Sequence, residues 1–407
     1  MSTRREALVI GAGVVGMTTA YALARRGLAV TIVDAADEPA RGASFANGAQ
    51  LSYVYTDALA STGLLRQMPR LLVAADPAFR LHPSIDPDFL RWGLAFLRNC
   101  TGDRFRTHTL EGLRLGLESR AAMHALLERH PLQFGHATAG KLQLIGNHGA
   151  LRAARRLVRL KREGGAEQHV LSPRDAVRLE PALAGRAEGL SGVIYSPQEE
   201  VGDPYLFCRG LLATLTSDYG VQVRFGTSVR AVERVNGHAA IALDGGERIE
   251  AERIAVCTGA ETPRLLKETG MSVPIWPMKG YSITAAPGPQ APRVSITDAA
   301  RRLVFCRLNG SVRVAGLADL GARTPEVSPN RLATLIEAAR AALPGAIDHE
   351  RISASWCGLR PMTPSSLPII RREQGGITLN VGHGALGWTY AMGAAERAAA
   401  LVMEGAT

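Results

Sequence analysis

The sequence predicts an α/β protein of two lobes: a doubly wound, Rossmann-like unit for a dinucleotide, and an α+β lobe with a mixed, largely antiparallel sheet. Three observations predict it. The chain has 407 residues, and a single hydrophobic core stops growing at roughly 250–300. Residues 7–34 read as strand, glycine turn, helix, strand and acid, in that order. Beyond residue 140, short strand patterns and an Asn-Gly hairpin signal alternate with helical stretches.

The first unit is the most specific. Ala7–Ile10 is an apolar run of strand type, followed by Gly11-Ala12-Gly13-Val14-Val15-Gly16. Met17–Arg26 has helical character, and Gly27 stands where helices commonly end. Ala29–Val33 is a second strand, closed by Asp34. In this setting Gly11 turns the chain tightly, Gly13 lets the backbone approach a pyrophosphate, and Gly16 lets helix and strand pack closely. The helix start at Val14 and Val15 offers free N–H groups and a positive dipole end to that pyrophosphate. Asp34 reaches ribose hydroxyls and disfavours a 2′-phosphate.

Further segments extend the nucleotide site. Gly42–Ser52 is a loop of small residues suited to close approach by a flat ligand, with Ser44, Asn47, Gly48, Gln50 and Leu51 as candidate contacts. Val221–Phe225 reads as a strand, and Val229–Val235 and Ala239–Leu243 as a hairpin through Asn236-Gly237. Arg253–Cys257 is an apolar strand ending in Thr258-Gly259. Near the end, Leu379–Gly393 is strand, glycine-rich turn and helix, with Gly384, Leu386, Gly387, Trp388 and Thr389 around the helix start. Two such loops at opposite ends of the chain suit a dinucleotide as long as FAD. The second lobe is expected to supply helices at Leu110–Arg129, Gly149–Glu163 and Arg331–Leu343. Its strands are read at Lys141–Ile145, Gly192–Tyr195, Gly280–Thr284, Leu303–Arg307 and Ser311–Ala315, the last two turning at Asn309-Gly310.

Composition excludes other classes. Lys and Arg number 47 against 37 Asp and Glu, a net charge of +10. The arginines are dispersed, which argues against a nucleic-acid partner. Coding bias towards arginine accounts for much of the excess, and the remainder suits contact with an anionic membrane surface. Five single cysteines and ten scattered histidines show no metal-ligand spacing, so no metal is expected. Reduced thiols and the lack of any long uncharged apolar stretch point to a cytoplasmic protein, peripheral at most on the inner face of a bacterial cell membrane. Met1–Arg5 and the apolar run behind it do not read as a cleaved leader, because that run carries the glycine turn.

On these residues the chain resembles the flavin-dependent D-amino acid dehydrogenases, within the D-amino acid oxidase and glycine oxidase superfamily. The resemblance includes Gly11–Gly16 with Asp34, Ala46–Ser52, Gly140–Ile145, Glu180–Ala184 and Gly202-Asp203. Its most specific stretches are Pro277–Ser282, Gly358–Pro364 and Gly382–Thr389. It implies a discontinuous FAD domain drawn from 1–80, 200–266 and 350–407, with 81–199 and 267–349 forming the substrate domain. It also implies FAD-dependent oxidative deamination: hydride passes from Cα to the flavin, the imino acid becomes a 2-oxo acid and ammonia, and electrons pass to a quinone or other acceptor.

The resemblance also assigns candidate site residues. Arg307, in a strand–arginine–turn setting, is expected to clamp the substrate carboxylate through its guanidinium fork. Arg360 in Gly-Leu-Arg-Pro is the second cation, facing substrate or flavin. Tyr55 and Tyr281, with Tyr53, are candidate walls, and His383 in Gly-His-Gly a candidate flavin neighbour. The chain departs from the pattern at Tyr53-Val54-Tyr55 and at Ser365-Ser366, where the resemblance expects Pro-Gly-Tyr and Asp-Gly. These departures motivate one alternative, a dehydrogenase of a cyclic D-imino acid such as D-proline or cis-4-hydroxy-D-proline; a glycine- or sarcosine-type oxidase is a second.

Overall fold

The computed structural model describes residues 6–72, 76–235 and 238–404; the Asn236-Gly237 turn lies outside them. The strand Glu6–Ile10 is buried along four of its five residues and pairs in parallel with Ala29–Val33 on one side and Arg253–Val256 on the other. Parallel strands need a crossover, and the helix Val14–Ala24 provides it. The sheet reaches six strands, in the order Ile369–Arg372, Ile377–Val381, Arg253–Val256, Glu6–Ile10, Ala29–Val33 and Gln222–Arg224. All neighbours are parallel except the antiparallel edge strand Ile369–Arg372.

The helix Val14–Ala24 is buried on nearly every side, as an all-apolar helix must be. It is packed between the sheet and the helices Pro204–Tyr219 and Gly387–Glu404. Each fully buried Met, Leu or Val here contributes roughly 1.5–3 kcal/mol. An antiparallel three-stranded sheet, Val229–Val235, His238–Leu243 and Arg248–Ala251, covers the opposite face through Val232, Ile241 and Leu243.

The second sheet has nine strands. Its path runs Ile347–Met362, Trp276–Pro287, Ser311–Leu320, Leu303–Leu308, Ser295–Asp298, Lys141–Ile145, Gly192–Ser196 and His169–Leu171, with Phe79–Leu81 alongside Ser311–Leu320. It is antiparallel apart from two parallel pairings. The hairpin turn at Asn309-Gly310 forms with φ of 24° and 80°, as a tight turn of that dipeptide requires.

The expected domain borders meet the structure as follows. Position 350 falls inside the strand Ile347–Met362, which pairs along Trp276–Pro287 in the second sheet. The helix Gly102–Arg129 packs against the C-terminal helix of the nucleotide unit. The lobes are stitched by Asp203: one carboxylate oxygen caps the helix Pro204–Tyr219 at Tyr205 N and Leu206 N, and the other pairs with Arg313 of the nine-stranded sheet at 2.9 Å.

Candidate functional site

A cavity of about 940 Å³ lies between the two sheets. Its nucleotide end is the fingerprint turn. Gly11 has φ of 100°, and a Cβ there would come within 2.7 Å of the Cys257 carbonyl oxygen. At Gly16 a Cβ would collide with the Gly11 carbonyl. Gly16 therefore packs helix on strand and does not face the cavity, whereas Gly11, Gly13, Val14 and Val15 line it. Ser44 Oγ accepts from Val14 N at 3.0 Å, and Asp34 accepts from Ala12 N at 2.5 Å and Ala36 N at 2.8 Å. The side chains of Ser44 and Asp34 thus hold the turn open toward the cavity.

The loop Asn47–Asp57 forms a second wall and is fixed from beneath by buried charges. Glu199 accepts from the backbone N–H groups of Tyr53, Val54 and Tyr55 at 2.5, 3.1 and 3.2 Å. Lys161 donates to the Val54 carbonyl and to Asp57, each at 2.8 Å. Lys141 donates to Gln50 Oε1 at 3.0 Å and Ser52 Oγ at 2.7 Å, with its ammonium 3.9 Å above the Tyr55 ring. Burial pulls Lys141 down to about 8 and pushes Glu199 up to about 7, and each opposes the other's shift by attraction. Sequence reading missed all of these buried groups; a lysine or glutamate normally signals solvent.

The third wall is the turn before the C-terminal helix. Gly384, Leu386, Gly387 and Trp388 line the cavity. Thr389 lies behind them and accepts from Ser52 N at 2.9 Å, tying this turn to the loop. His383 also lines the cavity; burial holds its imidazole down at about 3, so it is neutral.

The arginines are rearranged relative to expectation. Arg307 is exposed at the far end of Leu303–Leu308 and does not reach the cavity. Alternation places it on the face opposite Val304, which lines the cavity, and the closing turn leaves it exposed. Arg302, at the opposite end, lines the cavity with φ of 54° and pairs with Asp76 at 3.2 Å. Five residue steps of strand separate the two arginines by about 16 Å. Arg360 also lines the cavity. Its guanidinium lies across Gly280 and donates to the Leu317 carbonyl at 3.2 Å, and it makes no ion pair among the described residues. Burial lowers it to about 10. Leu317 has φ of 59°, opposite a register shift around Gly280; the irregularity turns its carbonyl toward Arg360.

The aromatic candidates divide. Tyr55 lines the cavity. Tyr281 contributes its ring, but its hydroxyl donates to Asp319 at 3.2 Å, so it serves as a packed wall. Tyr53 is buried with its hydroxyl on Glu200 at 3.0 Å, and Leu51 is in the core; neither lines the cavity. Asn47, Gly48, Gln50, Thr258 and Gly259 all line it. Ser366 takes φ of 66° where glycine was expected, and its hydroxyl accepts from Leu59 N at 2.9 Å, fixing one wall residue.

This frame fits a dinucleotide. His383 Nε2 and Asn380 Oδ1 are buried at the cavity without a hydrogen-bond partner in the protein, and buried polar atoms are rarely left so. The family model for FAD dependent oxidoreductases matches residues 6–401. The chain belongs to the FAD-dependent oxidoreductase family. It is 40% identical to D-amino acid dehydrogenase 2 of Ralstonia nicotianae, covering 97% of this chain and 95% of that protein. Identity to the D-amino acid dehydrogenase of Phenylobacterium zucineum is 34%, over 96% and 92% of the two chains. The crystal structure of glycine oxidase from Geobacillus kaustophilus shares the fold, with a TM-score of 0.76 at 22% identity over 100% of this chain and 96% of that one. In this FAD-dependent enzyme the cavity lining that would hold the cofactor is Gly11–Val15 at the pyrophosphate, Asp34 at the ribose, and the Ser44–Gln50 and Gly384–Trp388 segments at the ring end. Among the described residues no cluster of His, Cys, Asp and Glu could hold a metal, and no helix is long and apolar enough to cross a membrane.

Proposed function

We propose that the enzyme oxidises D-amino acids to 2-oxo acids and ammonia, and that electrons leave to a quinone-type acceptor. One observation carries the substrate reading: Arg360, an enclosed guanidinium without a carboxylate partner among the described residues, faces the cavity that holds the dinucleotide cradle. A planar fork of this kind binds a carboxylate bidentately. Gly280 leaves it room to lie flat, and the Leu317 carbonyl orients it. Bound FAD supplies the acceptor for the hydride that leaves Cα. The product imine then takes up water and releases ammonia.

The cavity beside Arg360 sets the side-chain preference. Met278 pairs directly across from Arg360, and Met362 follows two residues along the same strand. Trp92, Phe96, Phe89, Leu64 and Leu320 join them in an apolar cluster, and all line the cavity. Such a wall gains from burying a large apolar side chain, roughly 25 cal/mol per Å². D-Leucine, D-methionine and D-phenylalanine are therefore preferred over D-alanine and D-aspartate. The D configuration rests on the relatives. Glycine or sarcosine would leave the wall uncovered.

The test is a panel of D-amino acids with a dye acceptor, reading ammonia and 2-oxo acid. The expected result is equal yields of both, larger kcat/KM for bulky apolar side chains, and little peroxide in air. Turnover of D-proline or cis-4-hydroxy-D-proline alone, without release of ammonia, would replace this reading with the cyclic imino acid reading.

A further inference from the structure

The helix Pro87–Asn99 is apolar on two faces. Phe89, Trp92 and Phe96 point into the cavity. Leu90, Leu94 and Leu97, spaced four and three residues apart, share the outer face and are 59%, 50% and 44% exposed. Ile85, just before the helix, is 95% exposed, and Leu65 on the neighbouring helix Thr62–Leu72 is 37% exposed. Among the described residues, five of the eight exposed large apolar side chains thus sit on these two helices and the segment between them. Single exposed leucines are ordinary, but a stripe with helical spacing marks a contact surface. Exposed Arg98 runs along one edge of the stripe with Arg91, which pairs with Asp88 at 2.7 Å, and Arg66 is exposed beside Leu65.

We propose that this face lies on the surface of an anionic bilayer, with the leucines and Ile85 in the headgroup boundary and the arginines against lipid phosphates. Apolar stripes bordered by arginine are the pattern of helices lying in a membrane interface. Charge selects this occupant over a second copy of the chain. A two-fold contact through the stripe would set Arg66 and Arg98 of one copy, neither with a carboxylate partner among the described residues, near those of the other, between proteins of net charge +10. An anionic surface attracts the same residues. The face is also continuous with the cavity: Leu97 is exposed and lines it, and Met68 lines it from the neighbouring helix. A lipid-soluble acceptor therefore has an apolar path from the bilayer to the cavity. The docking rests on the helices alone; only this path rests on the quinone reading above.

The test uses the holoenzyme and the double variant Leu90→Asp/Leu94→Asp, neither residue being part of the cavity wall. Flotation at low salt compares vesicles of phosphatidylcholine with vesicles that also contain phosphatidylglycerol. The expected result is that the wild type floats with the anionic vesicles only, and that the variant's partition falls by at least about tenfold. The variant should keep its flavin absorbance, melting temperature and rate with a water-soluble dye, and lose rate with a long-chain quinone embedded in vesicles. Wild-type protein left in the supernatant, or a variant floating equally well, overturns the proposal. So does light scattering that shows a dimer dissolved by the two substitutions, which would assign the face to a second copy. Oxidation of D-amino acids with the dye reads the proposed function separately, so the two failures are distinguishable.

Discussion

Gly280→Ala tests the carboxylate clamp without removing its charge. A Cβ at position 280 would lie 2.8 Å from Arg360 Nε and closer still to the rest of the guanidinium. Carbon and nitrogen at optimal contact stand about 3.5–4.0 Å apart, so Nε must recede by about 0.7–1.2 Å and the rest of the guanidinium by more. It is the far end of a flexible side chain, and alanine is tolerated in a strand, so the fold should survive. Binding geometry should not. A 1 Å misplacement at a reacting centre can cost about 10²-fold, or roughly 2.7 kcal/mol. The assay is steady-state kinetics with D-methionine and a dye, alongside titration of the flavin spectrum with a non-reacting carboxylate. The expected outcome is a fall in kcat/KM of about 10²-fold, driven mainly by KM, with the carboxylate bound correspondingly more weakly. Unchanged KM and carboxylate affinity, in a variant of normal flavin content, would refute the assignment of Arg360.

Three further outcomes follow from the same geometry. Gly16→Ala places a methyl group against the Gly11 carbonyl, which is backbone and cannot swing away; it should cost at least about 1–3 kcal/mol and strip FAD, read as the ratio of flavin to protein absorbance. Arg307→Ala removes an exposed side chain outside the cavity and should leave KM unchanged and stability within about 0.5 kcal/mol. His383, held near 3 against an ordinary 6.5 by burial, binds fewer protons folded than unfolded between those values. Its contribution is full above pH 6.5 and is lost as pH falls toward 3. Urea unfolding of His383→Gln should therefore lose stability less steeply than the wild type over that window.

The nucleotide half of the fold was legible because its constraints are local. Gly11, Gly13 and Gly16 each satisfy a backbone demand that few other residues meet, and the helix and second strand follow within one crossover. The C-terminal turn at Gly384–Gly387 was legible for the same reason. The substrate end was less so. Arg302 and Arg307 flank one strand, and only its position in the nine-stranded sheet decides which end meets the cavity. Arg360 was read as a second cation facing substrate or flavin, but its lone-cation character depends on a bulge at Leu317 formed with a strand far away in sequence. The buried charges Lys141, Lys161 and Glu199 were invisible because residues distant in sequence make their burial tolerable. Position 350 lies within a strand that reaches along Trp276–Pro287, a pairing between segments too far apart in sequence to be read from either one.

The most direct measurement is anaerobic mixing of the purified holoenzyme with D-methionine and, separately, L-methionine, following the flavin band near ~450 nm. The account predicts that the D isomer bleaches the band and the L isomer does not, and that Arg360→Gln needs a far higher concentration for the same bleaching. An unbleached band with every D-amino acid tried, or equal bleaching by wild type and Arg360→Gln, would contradict it.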